Sequence, residues 1–147
     1  MYNNSKYRAE LIGSERIHNY LFGGHGVVTL QSDVSNEHHT YKFEAPEDRK
    51  QGDDLMFIHT LADNNLWLYV GMYRNGCFKL TKKSKFSKDT ATIKGLAYIF
   101  KMMLNDGYRD NRMHLMHEGV CSRCGRPLTN PASIEFCHRS GLNYVSC

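Results

Sequence analysis

The run Leu55-Met-Phe-Ile-His-Thr-Leu-Ala-Asp-Asn-Asn-Leu-Trp-Leu-Tyr-Val-Gly-Met-Tyr73 decides the fold. Leu55–Leu61 and Leu66–Tyr73 are rich in β-branched and aromatic residues, which suit a pleated, half-buried surface. Asp63-Asn64-Asn65 between them is a turn signal, so the two segments predict a hairpin. Arg74-Asn75-Gly76 predicts a second tight turn, with Cys77-Phe-Lys-Leu-Thr81 as the returning strand.

Working upstream, Val27-Val-Thr-Leu30 and His39-Thr-Tyr-Lys-Phe43 read as two more strands joined by a polar turn over Ser32 to Glu37. Tyr41 and Phe43 alternate with Thr40 and Lys42, giving one buried and one wet face. Glu44 to Asp54 carries five acids, two bases, a proline and a glycine, and reads as an exposed loop. A short helix over Glu15 to Leu21 is expected, capped by Ser14 and with Ile17, Tyr20 and Leu21 at helical spacing. Gly23-Gly-His-Gly26 ends it as a turn with His25 exposed. No Lys-Ser/Thr follows, as a phosphate-binding P-loop requires.

Downstream, Lys79, Lys82, Lys83, Lys85 and Lys88 crowd into ten residues with no intervening acid, and Phe86 lies among them. Two readings stand side by side. The run is a basic edge that meets phosphates while the aromatic stacks on a base, or a strand edge kept from aggregating by lysines. Asp89 or Thr90 caps a helix to about Leu104 whose stripe of Ile93, Leu96, Ala97, Phe100, Met103 and Leu104 packs on the sheet. Asn105-Asp-Gly107 stops it. Met113-His-Leu-Met-His117 reads as one more strand. The expected fold class is therefore α+β: an antiparallel β-meander of about five strands covered by one main helix, with a C-terminal zinc ribbon or knuckle. The expected division is a platform over residues 1–112 and a zinc-binding segment over 113–147.

Composition bounds the rest. The chain has 147 residues, 41% hydrophobic and 23% charged, ordinary globular values that suit a platform of about 110 residues with a small appendage. Its first residues lack an apolar signal core, and no run of eighteen apolar residues predicts a membrane span. The expected location is the cytoplasm, where clustered cysteines are more often metal ligands than disulfides. The formal net charge of +4 is weak evidence for nucleic acid. Four thiolates and one Zn2+ would bring it to +2.

Four of the five cysteines lie in the tail, in the spacing C-x2-C-x12-C-x9-C: Cys121, Cys124, Cys137 and Cys147. Cys77 stands apart and reads as a small core or strand residue. Cys121-Ser-Arg-Cys124 followed by Gly125 is a zinc-knuckle pattern, in which the turn aims both sulfurs inward and the glycine tolerates the bend. A redox dithiol also fits a lone CxxC. Four protein ligands leave no open position, so the expected zinc is structural.

On these residues the chain resembles a known family. Gly119-Val-Cys-Ser-Arg-Cys-Gly-Arg-Pro-Leu-Thr-Asn-Pro-Ala-Ser-Ile134 is similar to a small zinc-ribbon family of uncharacterised domains common in bacteriophage and actinobacterial proteins. The shared pattern, Cys-x2-Cys-Gly-Arg-x-Leu-Thr-x-Pro-x-Ser, covers Cys121 to Ser133. His117-Glu118-Gly119 and Thr81-Lys-Lys-Ser84 with the helix after it extend the likeness more faintly. The family's usual ending is Gly-x-Gly-Pro-x-Cys, whereas here Cys137-His138 intervenes and Gly141-Leu-Asn-Tyr-Val-Ser-Cys147 closes the chain. Cys137 and Cys147 are the expected third and fourth ligands, with His138 and His117 as substitutes. The resemblance implies a phage origin and one zinc ion, and it implies no activity.

Three functions follow as expectations. The first is nucleic-acid binding, with Lys82, Lys83, Lys85 and Lys88 on phosphates and Arg123 and Arg126 extending the patch. The second is a protein-interaction module, such as a phage factor that inhibits a host enzyme or defence complex. The third is an enzyme such as a metal-dependent nuclease. His138 and Asn143 lack the acidic and histidine partners that such a site needs, so the chain reads as a non-enzyme with no small-molecule substrate and no membrane partner.

Overall fold

The computed structural model describes residues 8–50, 52–105, 112–123 and 125–126. Along the chain the elements are β1 (Ala9–Glu10), α1 (Ser14–Leu21), β2 (His25–Ser32), β3 (His38–Glu44), β4 (Met56–Leu61), β5 (Trp67–Arg74), β6 (Cys77–Lys79), α2 (Ala91–Leu104) and β7 (Met113–His117). Among the described residues the seven strands form one antiparallel sheet in the order β1-β7-β2-β3-β4-β5-β6.

The turns explain the meander from β2 to β6. Asn36, Asn65 and Asn75 each adopt positive φ, a conformation that asparagine tolerates better than most residues. Asn75 (φ 55°) and Gly76 (φ 77°) are both left-handed, as the tight hairpin joining Arg74 to its partner Cys77 requires. Between β4 and β5 the register slips: Ile58 pairs with Gly71, but His59 pairs with Tyr69. Val70 is the extra residue and is fully buried. This bulge lets Tyr69 and Met72, three residues apart, both turn to the opposite face of the sheet.

One face of the sheet carries the core. Val28, Leu30, Tyr41, Phe43, Met56 and Ile58 alternate inward and pack with Leu96, Ile99 and Met103 of α2 and with Ile17, Tyr20 and Leu21 of α1. Each fully buried side chain of this kind is worth roughly 1.5–3 kcal/mol relative to exposure, which settles the direction the strands face. Thr90 caps α2 by accepting a hydrogen bond from the Ile93 N–H at 3.4 Å. Tyr41 donates its hydroxyl to the Thr92 carbonyl at 2.6 Å. A Cβ on Gly95 would stand 2.6 Å from that hydroxyl oxygen, so glycine lets α2 close onto the sheet. At α1 the expected cap moves by one residue. Gly13 at φ 98° precedes the helix, and Ser14 is its first helical residue.

The C-terminal part of the expectation is corrected. Among the described residues the sheet has seven strands rather than about five, and no separate zinc ribbon is evident. Among the described residues no three His, Cys, Asp or Glu side chains are grouped to hold an ion. Met113–His117 does not stand off from the platform but lies inside its sheet, between β1 and β2. The physical reason is its alternation: Leu115 and His117 are buried on the core face, and strands on both sides satisfy its backbone groups. Cys124, Cys137, His138 and Cys147 lie outside the described residues.

The segment after β7 then folds back over the sheet. Tyr20 donates to the Val120 carbonyl at 2.8 Å, and the His25 N–H donates to the Ser122 carbonyl at 2.7 Å. A Cβ on Gly23 would lie 2.6 Å from the Ser122 hydroxyl oxygen. The glycine turn after α1 is therefore the seat of this segment.

Candidate nucleic-acid interface

The face of the sheet away from the helices divides into a covered half and an open half. Rows of paired residues show what the open half is made of. Val27, Lys42, His59 and Tyr69 follow one another across β2, β3, β4 and β5, and His25, Glu44, Phe57 and Met72 form the next row, continuing to Lys79 on β6. Strand alternation puts all of them on this face. Half-buried aromatic rings thus stand in an ionic setting.

The lysine run borders that face because its backbone is tied down. The Ser84 N–H donates to the Thr81 carbonyl at 3.0 Å and the Thr81 N–H to the Ser84 hydroxyl at 2.8 Å, closing a turn that points Lys82 and Lys83 outward. The Lys85 N–H donates to the Tyr69 carbonyl at 3.1 Å, fixing the turn to β5. Phe86 packs against the core, so it is an anchor and not a stacking platform. Lys82, Lys83 and Lys85 are exposed and make no ion pair among the described residues.

Between this turn and the loop after β3 lies a cleft of about 900 Å³. Phe57, His59 and Tyr69 form its floor, the three lysines one wall, and Glu44 and Glu47 the other. The His59 and Tyr69 rings meet edge to face at 5.5 Å. Nδ1 of His59 is shielded from solvent and has no hydrogen-bond partner. Burial, and then the neighbouring Lys42 ammonium, hold the His59 pKa below its usual value, opposed by Glu44. At neutral pH this ring is uncharged.

A smaller cleft of about 240 Å³ adjoins the first through Glu44 and runs past Lys42 and Trp67 to Val120 and Gly125. The Lys42 ammonium sits 4.7 Å from the Trp67 ring centre and 3.9 Å from the Glu44 carboxylate. The two clefts put the lysine turn and the segment after β7 on one face of the sheet. Arg123 and Arg126 are exposed on that segment, outside the lining of either cleft. Lys88 is exposed and also outside both linings.

Of the expected metal ligands, Cys121 alone is described. It is fully buried in a tight turn. The Gly125 N–H donates to its carbonyl at 2.9 Å, its own N–H donates to the Arg126 carbonyl at 2.8 Å, and the Arg123 N–H points at its sulfur at 3.4 Å. Gly125 takes φ 78°, as the bend demands. Such a turn is compatible with a sulfur ligand, but the Cys121 sulfur is disulfide-bonded. The described residues therefore do not make a metal centre by themselves. The substitute ligand His117 is buried, with Nδ1 accepting from the Gly119 N–H at 3.1 Å and its ring 5.6 Å from that of Tyr20. Cys77 is a strand residue, the first of β6, and an exposed free thiol rather than part of the core.

The sequence reading singled out the lysines but not Phe57, His59, Trp67 and Tyr69, which the fold brings beside them. The signal for two of them was the alternation of β4, where Phe57 and His59 lie between the buried Met56, Ile58 and Thr60, while on β5 the bulge at Val70 breaks it.

Comparison with known proteins adds little beyond the tail. Among the described residues no helix is long and apolar enough to cross a membrane. Pyruvate, phosphate dikinase of Clostridium symbiosum is 59% identical over 27 residues, which is 18% of this chain and 3% of that enzyme. No solved structure matches. Residues 113–135, which include the stretch carrying the resemblance noted above, are similar to a family of unknown function, DUF6011.

Proposed function

We propose that this protein binds nucleic acid through the cleft between the lysine turn and the loop after β3. The observation that carries the reading is the convergence of Lys82, Lys83 and Lys85 on one cleft with Phe57, His59 and Tyr69. A strand edge kept soluble by lysines has no need of an aromatic floor beneath them. Phosphate contacts by the three ammonium groups would release counterions, so affinity should fall steeply with salt. For a generic oligonucleotide, replacing all three lysines by alanine should reduce the slope of log K against log[salt] by roughly 2–3, and weaken binding across all sequences. Salt-insensitive binding, or none, would overturn the proposal. Capture of one stoichiometric protein instead would favour the interaction-module reading.

We also propose that reduced Cys121, with Cys124, Cys137 and Cys147, takes up one Zn2+ with a structural role. What supports this is the sulfur-directed N–H of Arg123 and the turn at Gly125. Metal analysis of protein purified under reducing conditions should find zinc, lost on Cys121→Ser. Metal-free protein with a titratable dithiol would remove this proposal.

A further inference from the structure

We infer that the ligand of the open face is a single strand, its bases unstacked onto Phe57 and Tyr69 and its phosphates held along the lysine wall. This rests on the nucleic-acid reading above and names its ligand class. The argument comes from the layout of charge. The cleft is polarised, with Lys82, Lys83 and Lys85 on one wall and Glu44 on the other. A polyanion lying at random in it would meet carboxylates as well as ammonium groups. A single strand resolves that conflict because it is itself polarised, with phosphates along one side and base edges along the other. Phosphates on the lysine side put the base edges toward Glu44, which accepts hydrogen bonds from base amino groups.

The floor carries the second half of the argument. Phe57 and Tyr69 are half-buried rings below the level of the lysines. Base stacking on such rings requires bases free of their partners, and a duplex presents only its phosphates and groove edges. His59 stands between them and lines the floor, its ring edge to face with Tyr69 at 5.5 Å. Two residues from Tyr69 on the same face of β5 is Trp67, the chain's single tryptophan, about 7 Å away. It gives the open face its own optical reporter.

The test titrates full-length protein with oligodeoxycytidylate, oligocytidylate, a blunt duplex of equal length and inorganic polyphosphate, following Trp67 fluorescence and anisotropy of labelled strands. Either single strand should change Trp67 emission and bind at least ten times more tightly than the duplex. Tyr69→Ala should weaken single-strand binding by about 5- to 100-fold while leaving the salt slope unchanged, and Tyr69→Phe should restore it. A stronger response to one of the two strands assigns the sugar. Equal affinity for duplex and single strand, or polyphosphate binding as tightly as either strand, overturns this inference and leaves the lysine reading intact. Absence of binding to every probe overturns both.

Discussion

The two halves of the outer sheet face are built on opposite rules. Over β1, β7 and β2 the outward-facing polar groups bond to one another. The Arg8 guanidinium donates to Glu118 at 2.8 Å and to Gln31 at 2.7 Å, and Thr29 donates to the other Glu118 oxygen at 2.5 Å. Thr29 spends its one proton there, so in the 2.7 Å contact between the two threonine hydroxyls Thr40 is the donor. His114 is gripped by Glu10 at 3.0 Å and Asp33 at 2.8 Å. Over β4 and β5 the same face holds half-buried rings, an unpartnered His59 nitrogen and three lysines without ion pairs among the described residues. Low-dielectric polar groups must be satisfied from within or left for something to satisfy from outside. The covered half supports the fold, and the open half is arranged for a ligand.

The sharpest way to break this contrast is to cut the covered network. Glu118 is 3% exposed and its partner Arg8 is largely buried, so Glu118→Ala leaves a cation and a hydroxyl chain without their acceptor. Denaturant unfolding should report a loss of about 3 kcal/mol. Lys83→Ala on the open half should stay within about 0.5 kcal/mol, because a solvated lysine without partners contributes little to stability. A Glu118→Ala loss below about 1 kcal/mol, or a Lys83→Ala loss equal to it, would erase the distinction.

The contrast also explains what the sequence made legible. Period-2 alternation and the Asn-Gly turn located the strands from β2 to β6, since both are local signals. Of the expected α2 stripe Ile93, Leu96 and Met103 are buried and Phe100 packs against the core, whereas Ala97 and Leu104 are exposed and Ile99 and Met102 are buried instead. The place of Met113–His117 was not legible, because its pairing with β2 joins residues 81 to 89 positions apart and nothing local records that. The glycines after α1 read as a plain turn, while their packing reason, Ser122 against Gly23, comes from the far end of the chain. The aromatic floor was hidden for a related reason. A ring in a strand looks like core until the bulge at Val70 shows which face it joins.

The smallest effect tests the two halves through their histidines, and the signs are opposite. Hydrogen bonds donated to Asp33 and Glu10 raise the His114 pKa above 6.5. The stability it contributes is therefore complete below that value and is lost as pH rises through the folded pKa. His59 is lowered by burial and then by Lys42, with Glu44 opposing; Tyr69 and the three cleft lysines also face it. The unfolded chain takes up that proton more readily, so the His59 contribution is complete above 6.5 and is lost as pH falls through its folded pKa. Both rings touch water, which keeps each effect small. Urea midpoints from pH 5 to 8 should show His114→Gln flattening the decline on the alkaline side and His59→Gln flattening the decline on the acid side. If the cleft receives phosphates, an oligonucleotide should raise the His59 pKa, and wild-type affinity should increase as pH falls, with His59→Gln removing the increase. Midpoints that move in the same direction in both variants would mean that the two ends of the sheet do not differ as their hydrogen bonding indicates.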